Sequence, residues 1–257
     1  CAFLCKERHF KQVRRQDRES LFTSLRHTGT NRNFLLLVGI VFATVMGFNL
    51  VNGFANYIAV FYLFSGSRDA ASELLGVNGT AWGITSVVAV FPLVFMSRRL
   101  GKNKTMTTAI LLMGGAQALK IVCYNPELPY LALIPTVFLA AGMLMFFTLA
   151  SAMVADVCDA DELETGTRSE GSYYAVFWWF MKMGMAVAYL VAGVLIELTG
   201  FDQKQTIQTE GTLLMMRVFE IGLPLCLCVV SLVLVRSYPL TESRMYKIKA
   251  ELDARRA

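Results

Sequence analysis

The sequence is short of charge. Of its 257 residues only 17% are Asp, Glu, Lys or Arg, where soluble domains carry about 25%. With 55% hydrophobic residues and a mean hydropathy of +0.51, a water-facing globule of this length would lack a polar skin. Only six prolines exclude a Pro-rich disordered chain. Two histidines and six scattered cysteines leave little material for a metal centre or a disulfide framework. Cys226 and Cys228 lie two apart on an expected helix and point to different sides, so zinc-ligand spacing is absent. His9 and His27 fall in a basic segment before the first apolar run and are expected on a solvated surface. Phosphate loops, nucleophile elbows and His-Glu pairs are missing, so an integral-membrane enzyme is the least supported class. A membrane protein with several spans is what the composition leaves.

Six apolar runs have the length that crosses a hydrocarbon core about 30 Å thick. They are expected at 34–64, 80–97, 105–124, 128–157, 171–199 and 212–235. None alternates with period 2, which excludes a lipid-facing barrel. Backbone groups in lipid must be satisfied within the segment, so the runs are expected to be helices. The connections 65–79, 98–104, 125–127, 158–170 and 200–211 are short and polar. The expected fold is an all-α membrane protein, a six-transmembrane-helix bundle. It divides into a cytoplasmic segment 1–33, the bundle 34–236 and a cytoplasmic tail 237–257.

Basic residues give the orientation. Lys6, Arg8, Lys11, Arg14, Arg15, Arg18, Arg26 and Arg32 precede the first run. Arg98, Arg99, Lys102, Lys104 and Arg168 occupy loops on the same side, and Arg236, Arg244, Lys247, Lys249, Arg255 and Arg256 follow the last run. The opposite loops hold only Arg68 and Lys204. Both termini are therefore expected in the cytoplasm. The net charge of +5 follows from this topology and from anionic lipid, and does not call for nucleic acid. The apolar start CAFLC, followed at once by basic residues, reads as the cytoplasmic end of an earlier span. Asn78-Gly79-Thr80 and Asn103-Lys104-Thr105 match glycosylation sequons on opposite sides of the membrane, so at least one is chance.

Ionisable groups inside spans are costly and mark candidate sites. Lys182 lies roughly eleven residues past Gly171, about 16 Å into its span and near the bilayer midplane. Tyr174, Trp178, Lys182, Met185 and Tyr189 share its helix face, with Trp179 at the flank. Stacking rings, hydroxyls and a cation on one face suit a sugar; the same rings could instead pack a neighbouring helix around a structural ion pair. Asn49, Asn52 and Asn56 form a second stripe, beside Tyr57. Its amides could bond substrate hydroxyls or other helices. Glu220 stands as a counter-charge to Lys182 or a proton carrier, with Arg217 one turn away as the local alternative. Pro92 and Pro224 are expected kink positions.

The stretch ADVCDADELETGTRSEG, residues 155–171, followed by a helix with a central lysine, resembles the glycoside–pentoside–hexuronide:cation symporters, melibiose-permease-like members of the major facilitator superfamily. CKER near the start, the basic SRRLGKNK and the terminal YPLTESRMYKIKAELDARR are similar to further parts of that family. The resemblance implies the C-terminal half of a twelve-helix secondary transporter. It implies that Lys182 stands at the sugar and cation site, and a cytoplasmic gate drawn from Asp156, Asp159, Asp161, Glu162 and Arg168. It also implies a sodium or proton coupling cation held mainly by an N-terminal half, no other cofactor, and a bacterial inner membrane. Phe177, Trp178 and Trp179 are more apolar than the melibiose permease at those positions, which leaves a lysolipid-type symporter as an alternative. A non-transporting membrane scaffold or sensor subunit is the reading from another class.

Overall fold

A computed structural model describes residues 28–167, 169–202, 204–205 and 207–256. Arg168 and nearly all of the expected segment 1–33 lie outside the described residues. Among the described residues the chain is helical, without strands. In order come α1 (Arg32–Tyr57), a π-helical turn Ile58–Leu63, α2 (Arg68–Val88), α3 (Val90–Leu100) and α4 (Lys102–Cys123). A 3-10 turn Pro129–Ala132 leads into α5 (Leu133–Thr165), α6 (Glu170–Leu198), α7 (Glu210–Arg236) and α8 (Glu242–Arg256). Among the described residues five helices are long and apolar enough to cross a membrane, and a sixth span is formed if the bent pair α2–α3 counts as one. The six-span bundle expected from hydropathy is thus the observed architecture.

Two boundaries move. The second span begins at Arg68 rather than near residue 80, because residues read as a polar loop are helical. The true connection is a tight turn with Ser65 (φ 49°) and Gly66 (φ 95°) in the left-handed region. This span bends by 40° at Ala89. Pro92 accounts for the break: without an N–H it cannot bond the carbonyl one turn back, and its ring crowds that carbonyl. Pro224, by contrast, sits inside an unbroken α7.

The second correction concerns the acidic run. Residues 158–165, expected in a loop, extend α5 to 33 residues, about 50 Å. Ala, Glu and Leu favour helix, and the helix stops where Gly166 adopts φ +74° and donates its N–H to the Glu162 carbonyl at 2.9 Å. The added turns are supported by α8, whose Met245, Ile248 and Leu252 are buried at i, i+3, i+7 spacing.

Close crossings set the registers. A Cβ on Gly142 would lie 2.7 Å from Met113 Cγ and 2.9 Å from the Ala109 carbonyl oxygen, so α5 meets α4 nearly backbone to backbone. Gly142→Val is expected to lower stability by about 1–3 kcal/mol, since the Ala109 carbonyl cannot rotate away. Thermal unfolding of the detergent-purified full-length protein checks this. Gly115→Ala is the control, because a Cβ there meets nothing within 4 Å, and it should leave the transition unchanged.

Candidate functional site

The helix α6 packs on α1 in parallel. Asn31, the N-cap of α1, donates to the Tyr173 hydroxyl at 3.0 Å, and Phe34 meets the Tyr173 ring edge-on at 4.9 Å. Farther along, a Cβ on Gly184 would meet the Phe42 carbonyl at 3.3 Å, and one on Gly53 would meet Ala192 Cβ at 2.7 Å. The buried stripe of α6 is Tyr173, Phe177, Met181, Gly184, Ala188 and Ala192. The stripe proposed from sequence sits one residue later, a rotation of about 100°. It therefore faces out of the bundle.

Lys182 is exposed on that outer stripe and has no ion-pair partner among the described residues. Trp178 and Trp179 are 50% and 55% exposed. Tyr174 is half-buried, and its hydroxyl donates to the Ser151 carbonyl at 2.9 Å. The asparagines separate. Asn49 is buried and donates to its own helix at the Val45 carbonyl, 2.8 Å away, whereas Asn52 and Asn56 are exposed. Because Gly184 is level with Phe42 and Val45, Lys182 lies about 10 Å or more along the axis from Asn52. The structure brings both stripes to neighbouring helices but at different depths.

At the end of the bundle that carries α8, acidic residues of α5 are braced from three sides. Asp156 is buried and pairs with Lys102 Nζ of α4 at 2.5 Å and Lys249 Nζ of α8 at 3.6 Å. Asp161 is buried, with Asn31 Nδ2 3.5 Å away. Arg255 donates to the Leu163 carbonyl at 2.9 Å. Asp159 and Glu162 are half-buried on the same helix. The partners of Asp156 thus come from α4 and the tail rather than from within the acidic run. Tyr238 is buried nearby; burial, then the Asp156 charge, pushes its hydroxyl well above the usual phenol range.

Glu220 has a different partner from the one expected. Its Oε1 accepts from Lys120 Nζ at 2.5 Å and from the Tyr124 hydroxyl at 3.1 Å. Both charged side chains are buried, at 5% and 0% exposure. Arg217, the local alternative, instead lies over the Tyr62 ring at 4.2 Å. The Tyr62 hydroxyl donates to the Tyr124 carbonyl at 3.3 Å. Lys120 was missed in the sequence because it sits near the end of an apolar run, where a lysine usually reaches water. A lone cation and a lone carboxylate in different runs was the available signal. Lys120 also lines a cavity of about 90 Å³ with Asn52, Asn78, Trp82, Tyr124 and Thr136. Among the described residues no group of three His, Cys, Asp or Glu is placed to hold a metal ion.

The MFS/sugar transport protein family model matches residues 1–242. The chain is 26% identical to an uncharacterised symporter of Synechocystis, over 91% of this chain and 43% of that protein. It is 29% identical to an uncharacterised symporter of Bacillus subtilis, over 86% of this chain and 46% of the relative. It is 27% identical to a glucuronide carrier protein homolog of Escherichia coli, over 99% of this chain and 54% of the relative. The chain spans about half the length of these curated relatives. An apolar helical bundle matched over nearly its whole length by one family model is an integral membrane member of the MFS/sugar transport protein family.

Proposed function

We propose that this chain is the C-terminal half of a cation-coupled secondary transporter for a sugar-like substrate, a glycoside or uronide. The observation that carries the reading is Lys182: an exposed ammonium deep in an apolar helix, without an ion-pair partner among the described residues and flanked by Trp178 and Trp179. Such a charge is costly against lipid. It is accommodated if this face of α6 turns toward a watery cavity shared with an N-terminal half. A substrate carboxylate or hydroxyl would then be its partner. Relatives named for glucuronide carriage and for 2,3-dihydroxypropane-1-sulfonate export support an acidic, hydroxylated substrate. Substrate would bind between two halves that rock alternately toward either side. Coupling follows if cation and substrate each bind better with the other present. Asp156, held by Lys102 and Lys249, and Asp161 beside Asn31 would fasten the α8 end while the opposite end is open. Both termini would then face the cytoplasm across a bacterial inner membrane.

The test is solute accumulation by the full-length protein in proteoliposomes under an imposed sodium or proton gradient. Uptake of a labelled glucuronide should require one of the two gradients and be competed by other uronides. Lysolipid-only transport would move the substrate class. No gradient-dependent flux over a broad glycoside panel would overturn the reading in favour of a scaffold.

A further inference from the structure

Three charged side chains cluster where α4 and α7 meet at the end of the bundle away from α8. Lys120 and Glu220 neutralise one another. Arg217 is the surplus charge, and no carboxylate among the described residues pairs with it. Its Nε is buried without a hydrogen-bond partner among the described residues. The Tyr62 ring covers the guanidinium at 4.2 Å, which satisfies a cation's field but accepts few of its hydrogen bonds.

Arg217 also borders a groove of about 370 Å³ on the outside of the bundle, with Ile121, Leu214, Val218, Gly222 and Leu225. Apart from Arg217 those side chains are all apolar. From Leu214 to Leu225 the groove follows α7 for about 16 Å. Arg217 lies roughly seven residues, about 10 Å, inside the start of α7, a depth from which an arginine reaches the headgroup layer. Leu225 is near the middle of the helix. A cation at the interfacial end of a slot whose inner end is apolar has the polarity and length of a phospholipid, phosphate outward and acyl chain inward. The surplus positive charge selects a lipid with a net negative headgroup, and a guanidinium matches phosphate oxygens two at a time.

We propose that the α4–α7 groove is a specific site for one anionic phospholipid, its phosphate on Arg217 and one acyl chain along Val218, Gly222 and Leu225. The site rests on the membrane setting alone, so it stands or falls independently of the transported substrate. Nothing in it involves Lys182 or the α1–α6 face.

The experiment is native mass spectrometry of the detergent-purified full-length protein offered phosphatidylglycerol and phosphatidylethanolamine in equal amounts. The wild type should retain one phosphatidylglycerol in preference to phosphatidylethanolamine. Arg217→Gln should lower that occupancy at least about tenfold, the loss of a charge-assisted contact. Gly222→Leu should lower it as well, by filling the slot. A Cβ at Gly222 meets nothing within 4 Å, so this variant keeps the test open if Arg217→Gln fails to fold. A parallel thermal shift with inorganic phosphate alone should show no stabilisation, because the acyl chain is needed. Equal retention of the two lipids, retention unchanged in either folded variant, or full stabilisation by free phosphate would each overturn the site.

Discussion

Replacing Glu220 with leucine should cost the folded protein about 3–5 kcal/mol. The carboxylate is fully buried and is the sole ion-pair partner of Lys120 among the described residues. Without it, the buried Lys120 ammonium stays within the bundle with no opposite charge among the described residues, and the Tyr124 hydroxyl loses its acceptor. Removing one member of such a pair costs more than the pair contributes, because the survivor keeps its desolvation penalty. The compensating variant discriminates. Lys120→Met together with Glu220→Leu exchanges both charges for apolar groups of similar size and should regain most of the loss. Thermal unfolding of the full-length protein in detergent reads both. If single and double variants lose stability equally, the pair is not what holds α4 to α7. Tyr124→Phe should have a smaller effect, about 1 kcal/mol, the size of one hydrogen bond.

The second large effect concerns transport. Lys182→Ala is expected to reduce gradient-driven accumulation by about one to two orders of magnitude, the range of a lost charge-assisted hydrogen bond, while membrane expression stays normal. The geometry makes this a clean test. Lys182 has no partner among the described residues to be orphaned, and its neighbours on α6, Met181 and Gly184, carry the packing against α1. Lys182→Arg keeps the charge and should retain partial uptake. Full accumulation by the alanine variant would remove Lys182 from the substrate site. Loss of expression in both variants would identify it as structural instead.

These two lysines show how far the sequence could be read. The spans were legible because hydrophobic runs report burial in lipid directly, and α1 with its π-helical turn, α4, α6 and α7 fall within a few residues of their expected limits. The acidic turns of α5 and the start of α2 were not legible. Both are polar segments whose helicity rests on neighbours: the last turns of α5 are covered by α8, and Ala71 and Leu74 are buried at the start of α2. Hydropathy has no term for such partners. Lys182 stood out because it lies mid-run, yet which way its face points depends on a one-residue offset between two nearly identical stripes. The glycines settled that offset: Gly184 fits beside the Phe42 carbonyl and Gly53 against Ala192. Lys120 and Glu220 each looked like an isolated charge, and only the contact between α4 and α7 makes them one feature.

The length of α5 has a mechanical consequence. A helix of 33 residues is about 50 Å long, so roughly 20 Å of it exceeds a 30 Å hydrocarbon core. Its Asp161–Thr165 end is therefore an arm whose pivot lies in the bilayer. Rocking α5 by about 10° about its midpoint carries that end through roughly 4 Å, more than the length of a hydrogen bond. The contacts at the tip, Asn31 with Asp161 and Arg255 with the Leu163 carbonyl, act at the full radius of the arm. A bond at that radius exerts more torque than the same bond near the pivot, so a few modest contacts outside the membrane can hold the angle of a helix embedded within it.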